Sequence, residues 1–475
     1  MNPDTAELAI LDTASELVVP FEPSAGGGRR RLAVARRWTR LREDPAHVAA
    51  VSDSWRALLA SRLLVWAAAV GTLVAFGFGP VRHAFIPAGV TRGFGWLGDL
   101  LAAPAARWDA SWYLVIAHYG YRPELFPFTS SRTAFFPVYP MGLRAIAWLG
   151  APPVLAGVLL SMFALALALY GIHRLTALEL GQRLPIARGS SGDVARLAVL
   201  VTAFAPMAFF FSAVYSESVY LALSVGVFWC ARQGRWMWVG ALGALAAATR
   251  STGLVLALPA LMLYLYGPRQ DRPADFAALA RSLRPRYRIR RDILWLLLLP
   301  AGLAVYLGYL GLAGGDPLSP FHAQQVWGRH FAGPYLGAWE GIKAGFDGLR
   351  QLASLQRHPA YFAIAAGDPF VIAGHNLLLL AFLAAALVAI VGVLRLLPLA
   401  YGAYVLAALA LPLSYPVRAQ PLMSLPRFLV VLFPLAMWLA AWLAVRPRAQ
   451  RPALVLSAAL MAFFAAQFAT WHWVA

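Results

Sequence analysis

Residues 371–394 read VIAGHNLLLLAFLAAALVAIVGVL, with no Asp, Glu, Lys or Arg among them. An α-helix needs about 20 consecutive apolar residues to cross the hydrocarbon core of a bilayer, and this run supplies them. Working outward, comparable runs lie near 57–79, 153–174, 195–213, 216–231, 235–249, 251–267, 292–313, 397–414, 427–445 and 452–473, about eleven spans in all. In lipid, only helices and closed barrels satisfy every backbone polar group. Helix-length runs, rather than alternating segments of about ten residues, exclude the barrel. The fold expected is an all-α polytopic membrane protein.

Composition agrees. Of 475 residues, 60% are hydrophobic and 13% charged, with a mean hydropathy of +0.64. Soluble domains carry roughly 25% charged residues. The net charge of +19 invites a nucleic-acid reading, but the basic residues cluster between apolar runs, where topology places them. No nucleic-acid partner is expected. Every basic residue except Lys343 is arginine, which points to a GC-rich genome. The lone cysteine, Cys230, excludes a disulfide or a cysteine metal site within the chain. No cleavable leader is expected, because about 56 mostly polar residues precede the first apolar run.

Two domains are expected: a cytoplasmic tail over 1–56 and a transmembrane domain over 57–475. The tail begins acidic and Gly/Pro-punctuated, which reads as disordered. It continues in a basic cluster containing Arg29, Arg30, Arg31, Arg36, Arg37, Arg40 and Arg42. That cluster is either an interfacial segment on anionic lipid or a simple topology determinant. With the N-terminus inside, the cytoplasmic loops hold Arg183 and Arg188, Arg232, the dense group from Arg269 to Arg291, Arg395, and Arg446, Arg448 and Arg451. The rule that positive loops stay inside is then met throughout. Two long loops, about 80–152 and 314–370, fall outside. Both are rich in Trp, Tyr and Phe, and are expected to carry short interfacial helices.

The chemistry is sought in these outer loops. Few acids face that side: Asp99, Asp109, Glu124, Glu217, Asp316, Glu340, Asp347 and Asp368. Asp109 stands out, within Arg107-Trp108-Asp109-Ala110-Ser111-Trp112-Tyr113. A carboxylate among aromatics beside the membrane is costly unless it works, and general-base catalysis is such work. On a helix Tyr113 would share its face. The plain alternative is an Arg107–Asp109 ion pair holding the loop. In Tyr215-Ser216-Glu217-Ser218, Ser216 reads as a helix cap with Glu217 at the positive helix end, or Glu217 as a substrate contact. Arg250, in Thr249-Arg250-Ser251-Thr252-Gly253, wants an anionic partner: Glu217, a phosphate or a lipid headgroup. His322, Gln325 and Arg329 have helical spacing, which forms a polar face suited to a sugar or phosphate. Arg427, in Leu425-Pro426-Arg427-Phe428, offers a guanidinium fork to a phosphate or serves as an interfacial anchor. No phosphate-binding loop, dinucleotide fingerprint or metal-ligand spacing occurs.

These motifs resemble the PIG-V-type mannosyltransferases of the GT-C glycosyltransferase superfamily. The resemblance rests on Trp108-Asp109-Ala110, Ile116-Ala117, Tyr119-Gly120-Tyr121, Ala134-Phe135-Phe136-Pro137 and Tyr139-Pro140. It extends through Ser216-Glu217-Ser218, Arg250-Ser251-Thr252-Gly253, Gly315-Asp316-Pro317 with His322-Ala323-Gln324, and Pro426-Arg427-Phe428. Thr252 stands where the eukaryotic pattern has Asn. The resemblance implies a GT-C-like bundle and a bacterial relative of the enzymes that add the second mannose of GPI anchors. It implies a polyprenyl-phosphate-mannose donor as substrate, no certain cofactor, and a lipid-linked glycan, lipoglycan or protein acceptor. The site would face the outside of a bacterial plasma membrane. Asp109 would be the catalytic base, with Arg427, Arg250, His322, Gln325, Arg329, Glu217, Trp108 and Tyr113 binding substrate or phosphate. Two alternatives stay open. One is a GT-C transferase of another polyprenyl-phosphate sugar, such as arabinose or galactose. The other is a lipid or small-solute transporter, although no internal repeat of the kind transporters show is visible.

Overall fold

A computed structural model describes residues 44–79, 90–91, 93–122, 131–181, 191–270, 284–361 and 367–474. The basic cluster of the tail, Glu124, Arg183, Arg188, Arg272 and Arg281 lie outside the described residues. Two units are distinguished, residues 1–49 and 50–475. Of the first, only the opening of helix α1 (Pro45–Phe76) is described, where the Asp44 carboxylate accepts from the Ala46 N–H at 3.0 Å. This helix starts well before the span expected from residue 57.

The second unit is mostly helical and has no strand among its described residues; Arg329 and Val417 form an isolated bridge. Its helices are α2 (Gly95–Ala102), α3 (Ala110–Tyr119), α4 (Val138–Trp148), α5 (Pro153–Leu180), α6 (Ser191–Ala203), α7 (Glu217–Arg232), α8 (Trp236–Ala247) and α9 (Ala257–Tyr266). They continue as α10 (Leu298–Gly314), α11 (Ser319–His322), α12 (Pro334–Ser354), α13 (Pro369–Leu396), α14 (Leu399–Leu413), α15 (Leu425–Val430), α16 (Phe433–Ala444) and α17 (Pro447–Ala469). Five helical segments are long and apolar enough to cross a membrane: Pro45–Phe76, Pro153–Leu180, Arg291–Gly314, Pro369–Leu396 and Pro447–Ala469. Each remaining expected span also falls on helix.

Several of those spans are broken rather than continuous. α6 stops at Ala203 and a 3₁₀ turn follows over Ala208–Ser212. Pro206 accounts for the stop, because it disfavours helical backbone in the residue before it and offers no N–H to the ladder. The freed carbonyls would be costly in lipid. Arg62 reaches across from α1 to satisfy them, donating to Ala203 O at 2.9 Å, Ala208 O at 2.6 Å and the Ser212 hydroxyl at 3.1 Å. Pro434 opens α16 in the same way, separating it from α15.

α7 carries Glu217 at its first residue and Arg232 at its last, about 22 Å apart along the helix axis. At the Arg232 end, its guanidinium pairs with Glu179 of α5, and Tyr401 of α14 donates to the same carboxylate at 3.0 Å. Three helices are thereby tied together in a dry environment.

The second long loop, 314–370, carries α12, longer than the short helices expected there. At about 100° per residue its side chains sort onto three faces. Tyr335, Trp339, Phe346 and Leu349 are exposed and apolar, and Glu340, Lys343, Asp347 and Arg350 form a polar edge. Gly337, Gly341, Gly345 and Gly348 are buried. A Cβ on Gly337 would overlap the Leu413 carbonyl, and one on Gly341 the Leu422 side chain. The glycines therefore seat α12 directly behind the segment from Leu411 to Ser424.

Candidate active site

The Asp109 turn is fixed from several directions. Trp108 adopts φ 54, a left-handed conformation unusual for a bulky residue and a mark of strain held in place by its surroundings. The Tyr215 hydroxyl supplies much of that restraint, donating to Arg107 O and accepting from Asp109 N–H, each at 3.1 Å. Arg107 makes no ion pair with Asp109. Its Nε donates to Ala469 O at 2.9 Å and its guanidinium lies over Trp471. Trp108 meets Trp471 and Trp473 edge-on, so the strained turn sits against an aromatic wall.

Four charges converge beside it. Arg427 donates through one terminal nitrogen to Asp109 at 2.6 Å and through Nε to Glu217. Arg250 donates to the same Glu217 oxygen at 2.7 Å. The Arg427 guanidinium also lies 4.8 Å from the Tyr215 ring centre, and that of Arg250 5.3 Å from Phe428. Such contacts suit cations withdrawn from water. Glu217 is 0% exposed and does not reach open space. Ser216 does not cap α7; its hydroxyl meets that of Tyr113 at 2.9 Å. Burial, with the nearby Glu217 charge, pushes the Tyr113 phenol up to about 12, so it stays protonated.

These groups border a cavity of about 580 Å³. Of the residues expected at the site, Asp109, Trp108, Tyr113, Arg250, Arg329 and Arg427 line it. Glu217, His322 and Gln325 do not. Glu217 stands behind the two arginines. His322 is 47% exposed and pairs with Asp316 at 2.9 Å. The expected helical register fails because α11 ends at His322 and a 3₁₀ turn covers Ala323–Trp327. In a 3₁₀ turn residues three apart eclipse. Phe321, Gln324 and Trp327 therefore face the cavity while Gln325 is exposed elsewhere. Gly328, at φ +66, reverses the chain, and Arg329 then pairs in antiparallel fashion with Val417.

Arg329 differs from the other two arginines. It donates to the carbonyls of Tyr415 at 3.1 Å and Met423 at 3.4 Å, and has no carboxylate within ion-pair reach among the described residues. Burial lowers its guanidinium to about 10, with Arg427 pushing the same way and Asp109 opposing. It remains a cation at neutral pH. The two carboxylates balance Arg427 and Arg250, so the cavity keeps one positive charge at Arg329. Sequence reasoning missed Gln324, Tyr415, Gln420, Trp327 and Trp473 on the wall. Of these, only Gln324 stands inside a motif quoted above, His322-Ala323-Gln324.

A family model described as mannosyltransferase (PIG-V) matches residues 95–266, and this match supports a glycosyltransferase. The long apolar helices agree with an integral membrane protein. The matched segment takes in Asp109, Tyr113, Glu217 and Arg250, and leaves Arg329, Gln420 and Arg427 beyond it. No curated protein and no solved structure matches the chain.

Proposed function

We propose that the protein is an inverting α-mannosyltransferase of the GT-C type that uses a polyprenyl-phosphate-mannose donor. It would act at the extracytoplasmic face of a bacterial plasma membrane, on a lipid-linked glycan, lipoglycan or protein acceptor. The observation that carries the reading is Asp109 on the wall of a cavity that retains a single uncompensated cation at Arg329.

In this mechanism the acceptor hydroxyl attacks the anomeric carbon of the donor as the bond from that carbon to the phosphate oxygen breaks. The hydroxyl proton passes to Asp109, and the polyprenyl phosphate leaves with the electron pair of the broken bond. A β-linked donor then gives an α-mannoside. Arg427 holds one Asp109 oxygen, so the other is the proton acceptor. Arg329 is the first seat for the donor phosphate, because its charge has no carboxylate partner and a lipid phosphate needs charge-assisted hydrogen bonds. Arg427 and Arg250 are already engaged by Asp109 and Glu217. Arg427 orients the base, and Arg250 shares Glu217 with it.

The test is transfer of labelled mannose from synthetic polyprenyl-phosphate-mannose by membranes containing the protein, with product analysis. Mannose-containing product from the native protein and none from Asp109→Asn supports the reading. Uptake of label into vesicles without any product would support the transporter instead.

A further inference from the structure

Two glutamines of the cavity wall have their amide nitrogens engaged by protein groups. Gln324 Nε2 donates to Pro320 O at 3.4 Å, and Gln420 Nε2 donates to His375 Nδ1 at 2.8 Å. Neither carbonyl oxygen has a protein partner among the described residues, and neither is sealed from solvent. Both residues line the cavity, and their carbonyl oxygens are the acceptors they have left to offer it.

Gln420 is held with particular care. His375 and its neighbour Asn376 lie near the start of α13, in a helix otherwise almost wholly apolar. Asn376 is buried and donates to Ala419 O at 3.1 Å, fixing the backbone just before Gln420. His375 fixes the amide itself. A buried polar side chain such as Asn376 is unfavourable unless hydrogen-bonded. Its bond and that of His375 Nδ1 converge on adjacent residues, while His375 Nε2 is buried without a partner among the described residues. An amide locked by its nitrogen presents an acceptor in one direction only.

We infer that Gln420 and Gln324 read the sugar of the donor, accepting hydrogen bonds from hexose hydroxyls, and that His375 is the positioning residue that aims the Gln420 carbonyl. This rests on the cavity being the sugar-phosphate site. The pairing is chemically apt. Sugar hydroxyls can donate, the arginine side of the cavity supplies donors for the phosphate, and two amide carbonyls on the neutral wall supply acceptors for the sugar. Sites built to hydrogen-bond a hydroxyl reject analogues that leave their polar groups unpaired.

The experiment measures binding and turnover together. Purified protein in nanodiscs is titrated with bare polyprenyl phosphate and with polyprenyl-phosphate-mannose, -glucose and -galactose. The native protein should bind one hexose-bearing lipid more tightly than the bare phosphate. Gln420→Leu should lose about tenfold or more of that advantage, the loss expected for an unmade polar contact, while binding bare phosphate as before. Unchanged affinity for bare phosphate also shows that the variant is folded. His375→Phe should lower the sugar advantage likewise, and His375→Asn, which keeps an acceptor at the position of Nδ1, should restore it. The inference is overturned if Gln420→Leu keeps the native order and spread of affinities. It is equally overturned if His375→Asn and His375→Phe weaken bare phosphate and every hexose lipid alike. Failure of the wider functional reading would look different: sugar-dependent binding with no transfer product.

Discussion

Replacing Glu217 with Gln keeps shape and removes one buried charge. Glu217 accepts from both Arg427 and Arg250 with no exposure to water, so the variant leaves two guanidinium groups facing a neutral amide. A hydrogen bond to a charged partner contributes roughly 1.5–3 kcal/mol and a neutral one roughly 0.5–1.5. Two bonds downgraded in this way cost about 2–3 kcal/mol. Leaving a buried charge without its partner typically costs roughly 3–5 kcal/mol. A destabilisation of about 3 kcal/mol is consistent with both figures. The chain supplies its own reporter, because Cys230 is the only thiol and lies in α7, the helix that Glu217 begins. Denaturation in detergent, followed by labelling of Cys230 with a fluorogenic maleimide, should show the Glu217→Gln midpoint well below the native one. The double variant Glu217→Gln/Arg250→Gln should recover part of the loss, since it removes a stranded cation along with the carboxylate. A Glu217→Gln protein within about 0.5 kcal/mol of the native protein would refute the idea that Glu217 holds the two arginines, because that is the range of substitutions that touch nothing important.

Asp109→Asn should lower kcat by roughly 10²-fold or more, the usual contribution of a general base, while donor affinity changes far less; full turnover would remove Asp109 from the mechanism. Arg329→Gln should raise the donor KM by about tenfold or more, and Arg329→Lys should recover only part, since a point charge lacks the guanidinium fork; steady-state kinetics against donor concentration decide it. The Arg329 guanidinium is lowered to about 10, so its cation is lost as pH rises through that value. Donor KM should therefore be flat from about pH 6 to about 8.5 and rise toward 10, and Arg329→Gln should abolish the rise. A reporter fused after residue 475 should read extracytoplasmic; a cytoplasmic signal would require an even number of spans.

The fold was legible because lipid imposes a simple rule on sequence: long uncharged runs become helix. Asp109 drew notice for a related reason, as a rare acid beside an expected span, and the structure puts it on the cavity wall. The Arg250–Glu217 pair was among the partners considered, since a buried arginine must find an anion. Helix breaks were harder to see. Pro206 and Pro434 sit inside runs whose hydropathy never falters, and only the unmet backbone groups reveal where the helix stops. His322 and Gln325 were misplaced because a spacing of three or four fits an α-helix, whereas the chain there turns as 3₁₀ and then reverses at Gly328. Gln420 was invisible for a different reason. Its importance comes from His375 on a helix distant in sequence, and no local pattern records that contact.

The ion pairs at the two ends of α7 bear on how the protein can move. Sliding this helix by one turn, about 5.4 Å, would pull Glu217 from Arg427 and Arg250 and Arg232 from Glu179 in the same stroke. Neither end could find a new partner in dry surroundings. The helix therefore behaves as a strut of fixed length between two anchored joints. A carrier that rocks its halves past one another needs helices free to change register, and α7 is not one of them. Adjustment on substrate entry falls instead to segments without such buried ion pairs at both ends, as from Ser319 to Ser354, where glycine contacts rather than charges seat the helix.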